Sequence, residues 1–238
     1  MNEVFFKVCT TGLDKDKDRI VSLDYKIGDN SVKRLIVKPD KDFAYREDLN
    51  LINSLTKNQI IEQGIPFQEA ISQFIDEIGQ STIIGHNICT CALTFIKNEL
   101  RHIEKPEIYT KIWTNKIIDL FNLLRTISQD RSFSAIKKQF SKDESKSDLE
   151  ILHEIYPIIL NNISKEEKLS NELSPSGWLK IKNCEGFFAK GKFNDMKIDD
   201  FIKNPSQSYF NFILINSEPH TIRCLKNWDK LKNILKKL

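Results

Sequence analysis

Residues 4–26 have the sequence VFFKVCTTGLDKDKDRIVSLDYK, which predicts two β-strands joined by a polar turn. Residues 4–8 form a short apolar run, and residues 19–26 alternate apolar and polar side chains, two patterns typical of β-strands. A polar turn rich in aspartate separates them. A third strand is predicted at residues 32–37. The three strands are expected to pair as an antiparallel meander.

The apolar pattern then changes to helical spacing. After Pro66, apolar side chains recur with helical periodicity up to Gly79, which predicts a helix over residues 67–78. Residues 81–85 (STIIG) predict a short buried strand. The same periodicity predicts further helices, around residues 93–100, 117–124 and 149–159. Strands followed by alternating helices and a central strand predict a layered α/β domain.

Composition changes after residue 162. Residues 163–176 are charged and lack apolar periodicity, so they are predicted to be a linker between a domain at 1–162 and a small domain at 177–238. In the small domain, residues 178–181 and 186–189 predict a hairpin. Short helices are predicted at Ile198–Lys203 and 209–216, and an amphipathic helix over 220–238. This mixture predicts a small α+β unit.

Composition also restricts the class of protein. The chain has 238 residues, a net charge of +3 and no CxxC pair. Its odd number of cysteines predicts an intracellular, cytoplasmic setting without disulfides. No apolar run approaches the roughly 20 residues of a membrane span, so no membrane contact is expected. The cysteines are Cys9, Cys89, Cys91, Cys184 and Cys224.

Three motifs together resemble the DnaQ-like 3′–5′ exonucleases, the family of the proofreading epsilon subunit of bacterial DNA polymerase III. The motifs are Thr10-Thr11-Gly12-Leu13 after the first strand, Gly85-His86-Asn87 after the STIIG strand, and Asp143 with Asp148 before a helix. The resemblance covers roughly residues 3–160. It implies an RNase H-like fold, a mixed sheet flanked by helices.

The carboxy-terminal residues carry a second, weaker resemblance. Residues 187–193 (FFAKGKF) and the later Tyr209-Phe210 resemble the small domain that follows exodeoxyribonuclease X-like exonucleases. Asp195 stands where that pattern has a second glycine. The order of the two resemblances along the chain is the one expected for such a protein.

The resemblance implies a two-metal site of magnesium or manganese, in which carboxylates bind the ions and a histidine activates water. Of the positions that would carry these groups, only Asp148 keeps its residue type. The five positions are Lys7, Cys9, Cys91, Asp143 and Asp148. The sequence therefore predicts a degenerate catalytic site, with no metal and no cofactor expected.

Two alternatives follow for this site. Lys7 is predicted to replace the cation and pair with Asp148, with Asp143 as a further partner; otherwise it points to solvent. Cys9 and Cys91, with Cys89 nearby, are either apolar filling residues or a soft-metal site for zinc. The histidines His102, His153 and His220 belong to no predicted site.

The family motifs that survive imply contacts to a nucleic-acid end. In the family, the backbone and the leucine of the TTGL motif contact the terminal nucleotide, so Thr10, Thr11, Gly12 and Leu13 are candidate binding residues. His86 and Asn87 are candidates too, although residues of this kind more often shape a turn.

Three functions remain open. The first is a catalytically inactive exonuclease homologue, a pseudo-exonuclease, that binds single-stranded DNA or RNA or acts as a scaffold. The second is a structural subunit that binds only protein. The third is a weak exonuclease dependent on magnesium or manganese, with ligands moved to Asp14, Asp16 or Glu150.

Overall fold

The computed structural model describes residues 2–40, 43, 54–124, 127–140, 143 and 145–235. Its contacts divide the chain into two compact units. The first contains residues 1–116 and 141–154, and the second contains residues 117–140 and 155–238. The domain boundaries expected at residues 162 and 177 stay a prediction. In the described part of the chain, no helix combines the length and apolar character needed to cross a bilayer.

The strands form a six-stranded mixed sheet and a separate hairpin. The sheet has the order β4-β3-β2-β1-β5-β6, and the hairpin consists of β7 and β8. The strands are β1 (Glu3–Thr10), β2 (Ile20–Ile27), β3 (Lys33–Lys38), β4 (Ile65–Pro66), β5 (Thr82–Gly85), β6 (Lys116–Asp119), β7 (Leu179–Lys182) and β8 (Glu185–Phe188).

Helices flank this sheet and follow the hairpin. In chain order, the described helices are α1 (Lys57–Gln63), α2 (Phe67–Ile78), α3 (Ala92–His102), α4 (Pro106–Ile112), α5 (Leu120–Leu123), α6 (Phe133–Phe140), α7 (Asp148–Asn162), α8 (Lys165–Leu173), α9 (Ile198–Lys203), α10 (Gln207–Asn216), α11 (Pro219–Lys226) and α12 (Trp228–Leu235). The predicted α2 and α9 have the bounds that the sequence gives them, whereas α1, α4, α6 and α8 were not predicted.

The predicted antiparallel meander of β1, β2 and β3 is confirmed. Its register places Lys7 opposite Asp24, and Asp24 opposite Arg34, in one row across three strands. Side chains directly opposite one another point to the same face of a sheet. Three charged residues of alternating sign therefore share one row. On α2, Phe74 stacks on Phe6 at a centroid distance of 4.6 Å and anchors the helix to the sheet.

The helix predicted over residues 117–124 is wrong in its first half. Ile117 and Ile118 lie in β6, and only Leu120–Leu123 are helical. Asp119 ends the strand and caps the short helix, because its side chain accepts a hydrogen bond from the Phe121 amide at 3.1 Å. A short run of buried apolar residues does not distinguish a strand from a helix by periodicity.

The segment predicted as a linker, residues 163–176, contains helix α8, which periodicity did not predict. Ser164 and Glu167 form a capping box at its amino terminus. Asn171 is buried and exchanges hydrogen bonds with the backbone of Asp119. Ser174 is also buried, and its hydroxyl accepts the amide of Trp178 at 2.9 Å. Hydropathy missed this segment because two of its buried residues, Asn171 and Ser174, are polar and are buried through hydrogen bonds.

The single terminal helix predicted over residues 220–238 is two helices. The chain turns at Asn227, which ends α11, and α12 begins at Trp228. A one-residue turn leaves the apolar stripe intact, so Leu225, Trp228 and Leu235 are still buried in one cluster with the hairpin residue Phe188. Residue 238, the last of the predicted stripe, lies outside the described residues.

Candidate functional site

Two turns that carry the family motifs lie at one end of the sheet. Strands β1 and β5 are parallel, with Val4 opposite Ile83, so their carboxyl ends point the same way. The turn after β1 contains the TTGL motif, and the turn after β5 contains the GHN motif. Lys15 Nζ donates a hydrogen bond to the Thr90 carbonyl, which joins the two turns. Ligands of open α/β sheets bind beyond such carboxyl ends.

The predicted ion pair between Lys7 and Asp148 is confirmed. Lys7 Nζ donates to Asp148 Oδ2 at 2.8 Å, although the two residues are 141 positions apart. Lys7 lies on β1, and Asp148 is the first residue of α7, where a carboxylate is favoured by the helix dipole. The side chains are 27% and 39% exposed, so solvent screens the pair only in part.

The environment keeps Lys7 charged. Burial lowers the pKa of the Lys7 ammonium, but Cys9, Asp148 and Asp24 outweigh it and raise the pKa above its ordinary value. At neutral pH the effective partners are the two carboxylates, because the Cys9 thiol is then protonated. Asp148, the only candidate position that keeps the carboxylate implied by the resemblance, thus has a cation beside it.

A second ion pair lies in the same row and was missed from the sequence. Asp24 is 1% exposed and accepts two hydrogen bonds from Arg34, from Nε at 3.0 Å and from a terminal nitrogen at 2.7 Å. Such a bidentate pair compensates a buried carboxylate. The available signal was a charged aspartate in the middle of the strand predicted at residues 19–26.

Cys9 is a buried residue of the same face of β1. Its sulfur lies 3.9 Å from Asp24 Oδ2, and only 3% of the residue is exposed. Burial first, and the Asp24 charge second, raise the pKa of the Cys9 thiol. These properties favour the interpretation of Cys9 as an apolar filling residue.

Cys91 and Cys89 belong to the segment that leads into α3. Cys91 is the residue before the helix and makes no side-chain cap, and Cys89 is buried. Throughout the described ranges, no group of three or more His, Cys, Asp or Glu side chains is arranged to hold a metal ion. Tetrahedral zinc needs four such ligands, and paired magnesium ions need several carboxylates. The residues near Lys7 do not suit either ion.

The TTGL turn is closed on the side chain of Asp18. Asp18 accepts hydrogen bonds from the Thr11 hydroxyl at 2.9 Å and from the Asp14 amide at 2.8 Å. A Cβ atom at Gly12 would lie 2.3 Å from Asp18 Oδ2, so a side chain there would displace the Asp18 carboxylate. The Thr10 hydroxyl donates to the Gly12 carbonyl at 2.6 Å. This fixed turn presents Leu13, which is 89% exposed.

The GHN turn has a clear structural role. A Cβ atom at Gly85 would approach the Phe6 carbonyl of β1 to 2.8 Å, so only glycine fits beside that strand. Asn87 has φ +54°, a left-handed conformation that asparagine tolerates. His86 follows β5 directly and is half-buried. The motif shapes the turn, as expected for residues of this type.

The remaining acidic candidates have local partners. Asp143 accepts hydrogen bonds from the Ser145 amide and hydroxyl, at 2.9 and 2.6 Å. Asp14 accepts the amide of Asp16, and Glu150 accepts the amide and hydroxyl of Ser147 at the start of α7. These are turn and capping contacts.

The other three histidines, His102, His153 and His220, lie in different places and have different neighbours. His153 packs edge-on against Phe5, and its Nε2 atom lies 3.5 Å from Asp29 Oδ1. His102 Nε2 lies 3.2 Å from an Arg19 guanidinium nitrogen. His220 is in the second unit, where burial lowers its pKa to about 4.

Comparison with known proteins gives structural similarity without sequence similarity. No protein-family model matches the sequence, and no curated protein matches it. Among solved structures, E. coli exonuclease I in complex with a dT13 oligonucleotide is 14% identical with a TM-score of 0.56, over 72% of this chain and 43% of that one. The ExoI/SSB-Ct complex is also 14% identical, with a TM-score of 0.53, over 68% of this chain and 43% of that one.

The zinc-bound form of the E. coli exonuclease I complex with single-stranded DNA is 15% identical, with a TM-score of 0.52, and covers 68% of this chain and 39% of that one. The matches therefore span less than half the length of exonuclease I. Similarity at this level of identity concerns the fold. The six-stranded mixed sheet flanked by helices is accordingly the RNase H-like fold found in exonuclease I.

Proposed function

We propose that this protein is a pseudo-exonuclease: a member of the exonuclease fold that binds a single-stranded nucleic-acid end without cleaving it. The observation that carries the proposal is the 2.8 Å ion pair between Lys7 and Asp148. The pair places the Lys7 ammonium beside Asp148. Among the positions at which the resemblance implies metal-binding carboxylates, Asp148 is the one that still has a carboxylate.

Electrostatics explains why this pair disfavours catalysis. A divalent ion near Asp148 would lie close to the Lys7 ammonium, and a unit charge next to a double charge at about 4 Å costs several kcal/mol at intermediate dielectric. Magnesium also releases its water reluctantly and needs strong negative ligands in return. Lys7 supplies positive charge that a metal ion would otherwise supply, but it cannot activate a water molecule.

Residual activity through displaced ligands has little support. Asp14 and Glu150 already accept backbone and hydroxyl hydrogen bonds in their own turns. Catalytic positions tolerate only small displacements. A weak exonuclease dependent on magnesium or manganese is therefore the alternative function, and a degradation assay tests it. The protein requires one of these ions only if it degrades the strand.

Binding of a strand end rests on the TTGL turn. Its geometry is held by Asp18, so Leu13 is presented on a fixed backbone although it is almost fully exposed. An exposed apolar side chain on an ordered turn costs little entropy when it contacts a base. Exonuclease I, which shares the fold, has been solved with a dT13 oligonucleotide. We place the strand end against Thr10, Thr11, Gly12, Leu13, His86 and Asn87.

A protein partner is the second candidate function. Exonuclease I has also been solved in an ExoI/SSB-Ct complex, so its fold is compatible with a protein ligand in that case. For this chain, a purely structural role predicts no affinity for single strands at any salt concentration. Salt-sensitive binding of single strands supports the nucleic-acid role, because phosphate contacts release counterions.

The experiment incubates the full chain with 3′-labelled single-stranded DNA and RNA, with Mg²⁺ or Mn²⁺, and measures retention and degradation together. We expect retention without nucleotide loss. Leu13→Asp should weaken binding, whereas Ile61→Asp, at another exposed apolar position that is 42% exposed, should not. Degradation that Asp148→Ala abolishes would show that the protein is an exonuclease. Equal loss of binding in Leu13→Asp and Ile61→Asp would show that the TTGL turn does not contact the strand.

A further inference from the structure

The carboxy-terminal part of the chain is basic although the whole chain is nearly neutral. Residues 177–238 contain 12 Lys and Arg against 6 Asp and Glu, a net charge of +6, whereas the complete chain carries +3. Residues 1–176 therefore carry a net charge of −3. Such an asymmetry is the electrostatic pattern of a surface that attracts a polyanion.

An exposed aromatic ring, that of Phe212, lies within the basic residues 177–238. Helix α10 buries Tyr209 and Ile213 and leaves Phe212 46% exposed. The Phe212 ring meets Trp178 edge-on at 5.9 Å and lies at 5.8 Å and 23° from Tyr209. Contacts on two sides fix the orientation of this ring. A fixed, half-exposed ring loses little freedom when a base stacks on it.

Two lysines belong to the same group of rings. Lys190 Nζ lies 4.5 Å from the centroid of Trp178, the ring that Phe212 contacts. Lys192 is exposed, and its Nζ lies 5.7 Å from the centroid of Phe193, which packs on Tyr209 at 4.5 Å. Both lysines are thus linked to Phe212 through rings that touch one another.

The turn that carries these lysines has a fixed shape. Gly191, between them, has φ +80°, and a Cβ atom there would lie 2.4 Å from the Tyr209 hydroxyl. Lys190 Nζ also donates to the Ser176 carbonyl at 2.8 Å. The lysines are therefore held by the same aromatic cluster that orients Phe212.

We infer that Phe212, Lys190 and Lys192 form a binding surface for single-stranded nucleic acid, separate from the residues around Lys7. A base stacks on Phe212, and the lysines contact phosphates on either side of that base. Stacking on an aromatic ring tolerates any base, so this surface binds without sequence preference. Charge favours a nucleic acid over a neutral apolar protein segment as the occupant.

The test measures the affinity of the full chain for labelled oligo(dT) and oligo(U) over a range of salt concentrations. Phe212→Ala should weaken binding about 5- to 150-fold, the range for loss of one stacked base, and Phe212→Leu should weaken it similarly because it keeps an apolar side chain without a ring. Phe212→Trp should retain binding. Lys192→Gln should reduce the log–log salt slope by about 0.7.

Two controls make the outcome decisive. Ile215→Ala changes a 75% exposed apolar residue on the same helix, and Lys182→Gln removes a lysine at the turn of the hairpin; neither should change affinity by more than about twofold. Oligonucleotide binding that survives Phe212→Leu, or that Ile215→Ala weakens as much as Phe212→Ala does, overturns the inference because the ring of Phe212 is then not what binds the base.

The same measurements separate this inference from the proposed function. Loss of binding in Leu13→Asp with none in Phe212→Ala overturns the inference and supports binding at the TTGL turn. The reverse result supports the inference and overturns binding at that turn. A wild-type chain that retains no single strand overturns both.

Discussion

A double-mutant cycle on Lys7 and Asp148 measures how strongly the ammonium stabilises the carboxylate. Lys7→Met removes the charge and keeps the length of the side chain, and Asp148→Asn keeps the shape of the carboxylate. The atoms are 2.8 Å apart and the side chains are 27% and 39% exposed. The coupling should therefore fall between that of exposed pairs, about 0.2–1 kcal/mol, and the roughly 3–5 kcal/mol lost when a buried pair is broken. We expect about 1–2 kcal/mol.

The assay is urea unfolding of the wild type, the two single variants and the double variant. Each single substitution should lower the free energy of unfolding by about 1–2 kcal/mol, or the midpoint of thermal unfolding by about 2–8 °C. The double variant should be little less stable than the worse single variant. Free energies that add within about 0.5 kcal/mol would refute the pairing, because independent sites add to that accuracy.

The second unit offers a matched control. Lys197 and Glu185 are also 2.8 Å apart, but their side chains are 44% and 48% exposed. Water screens this pair more strongly, so the same cycle should give a coupling below about 1 kcal/mol. Equal couplings for the two pairs would mean that burial of Lys7 contributes nothing.

The pH dependence gives a further check on the same pair. The folded-state pKa of Lys7 is raised above its ordinary value of 10.5, with burial opposing and Cys9, Asp148 and Asp24 favouring the charged form. A raised pKa gives stability that is fully present below the unfolded-state pKa and is lost as the pH rises through the folded-state pKa. The stability difference between wild type and Lys7→Met should be constant from about pH 7 to 9 and shrink above about 10.5.

Three other predictions concern stability, each measured by chemical denaturation. Gly12→Ala should destabilise the chain by about 1–3 kcal/mol because the new methyl group meets Asp18, and the penalty should be smaller in an Asp18→Ala background; an equal penalty would contradict the close approach. Ser164→Ala should cost about 1 kcal/mol by removing the cap of α8, and no change would argue against that helix. Arg34→Met should cost about 3–5 kcal/mol because it removes both hydrogen bonds that the guanidinium donates to the buried Asp24 carboxylate, and a cost below about 1 kcal/mol would contradict the bidentate pair.

Periodicity determined the elements in which one face is apolar and the other polar. Strand β2 and the helix α2 follow this pattern, and the structure has them where the sequence places them. The pattern failed in two physical situations. A buried strand such as β6 has no polar face, and helix α8 buries polar residues through hydrogen bonds. Neither situation leaves a periodic apolar signal.

From the sequence alone, the resemblance implies that Lys7, Cys9 and Cys91 stand where the exonucleases have metal-binding residues, and the lysine suggested an ion pair with Asp148. Which charged groups are in contact depends on the packing of β1 against α7, because Lys7 and Asp148 are 141 residues apart in the chain. The tertiary structure also placed Asp24 and Arg34 in the row of Lys7, through the strand register. The sequence shows which residues are charged, whereas the fold determines which charged residues form a pair.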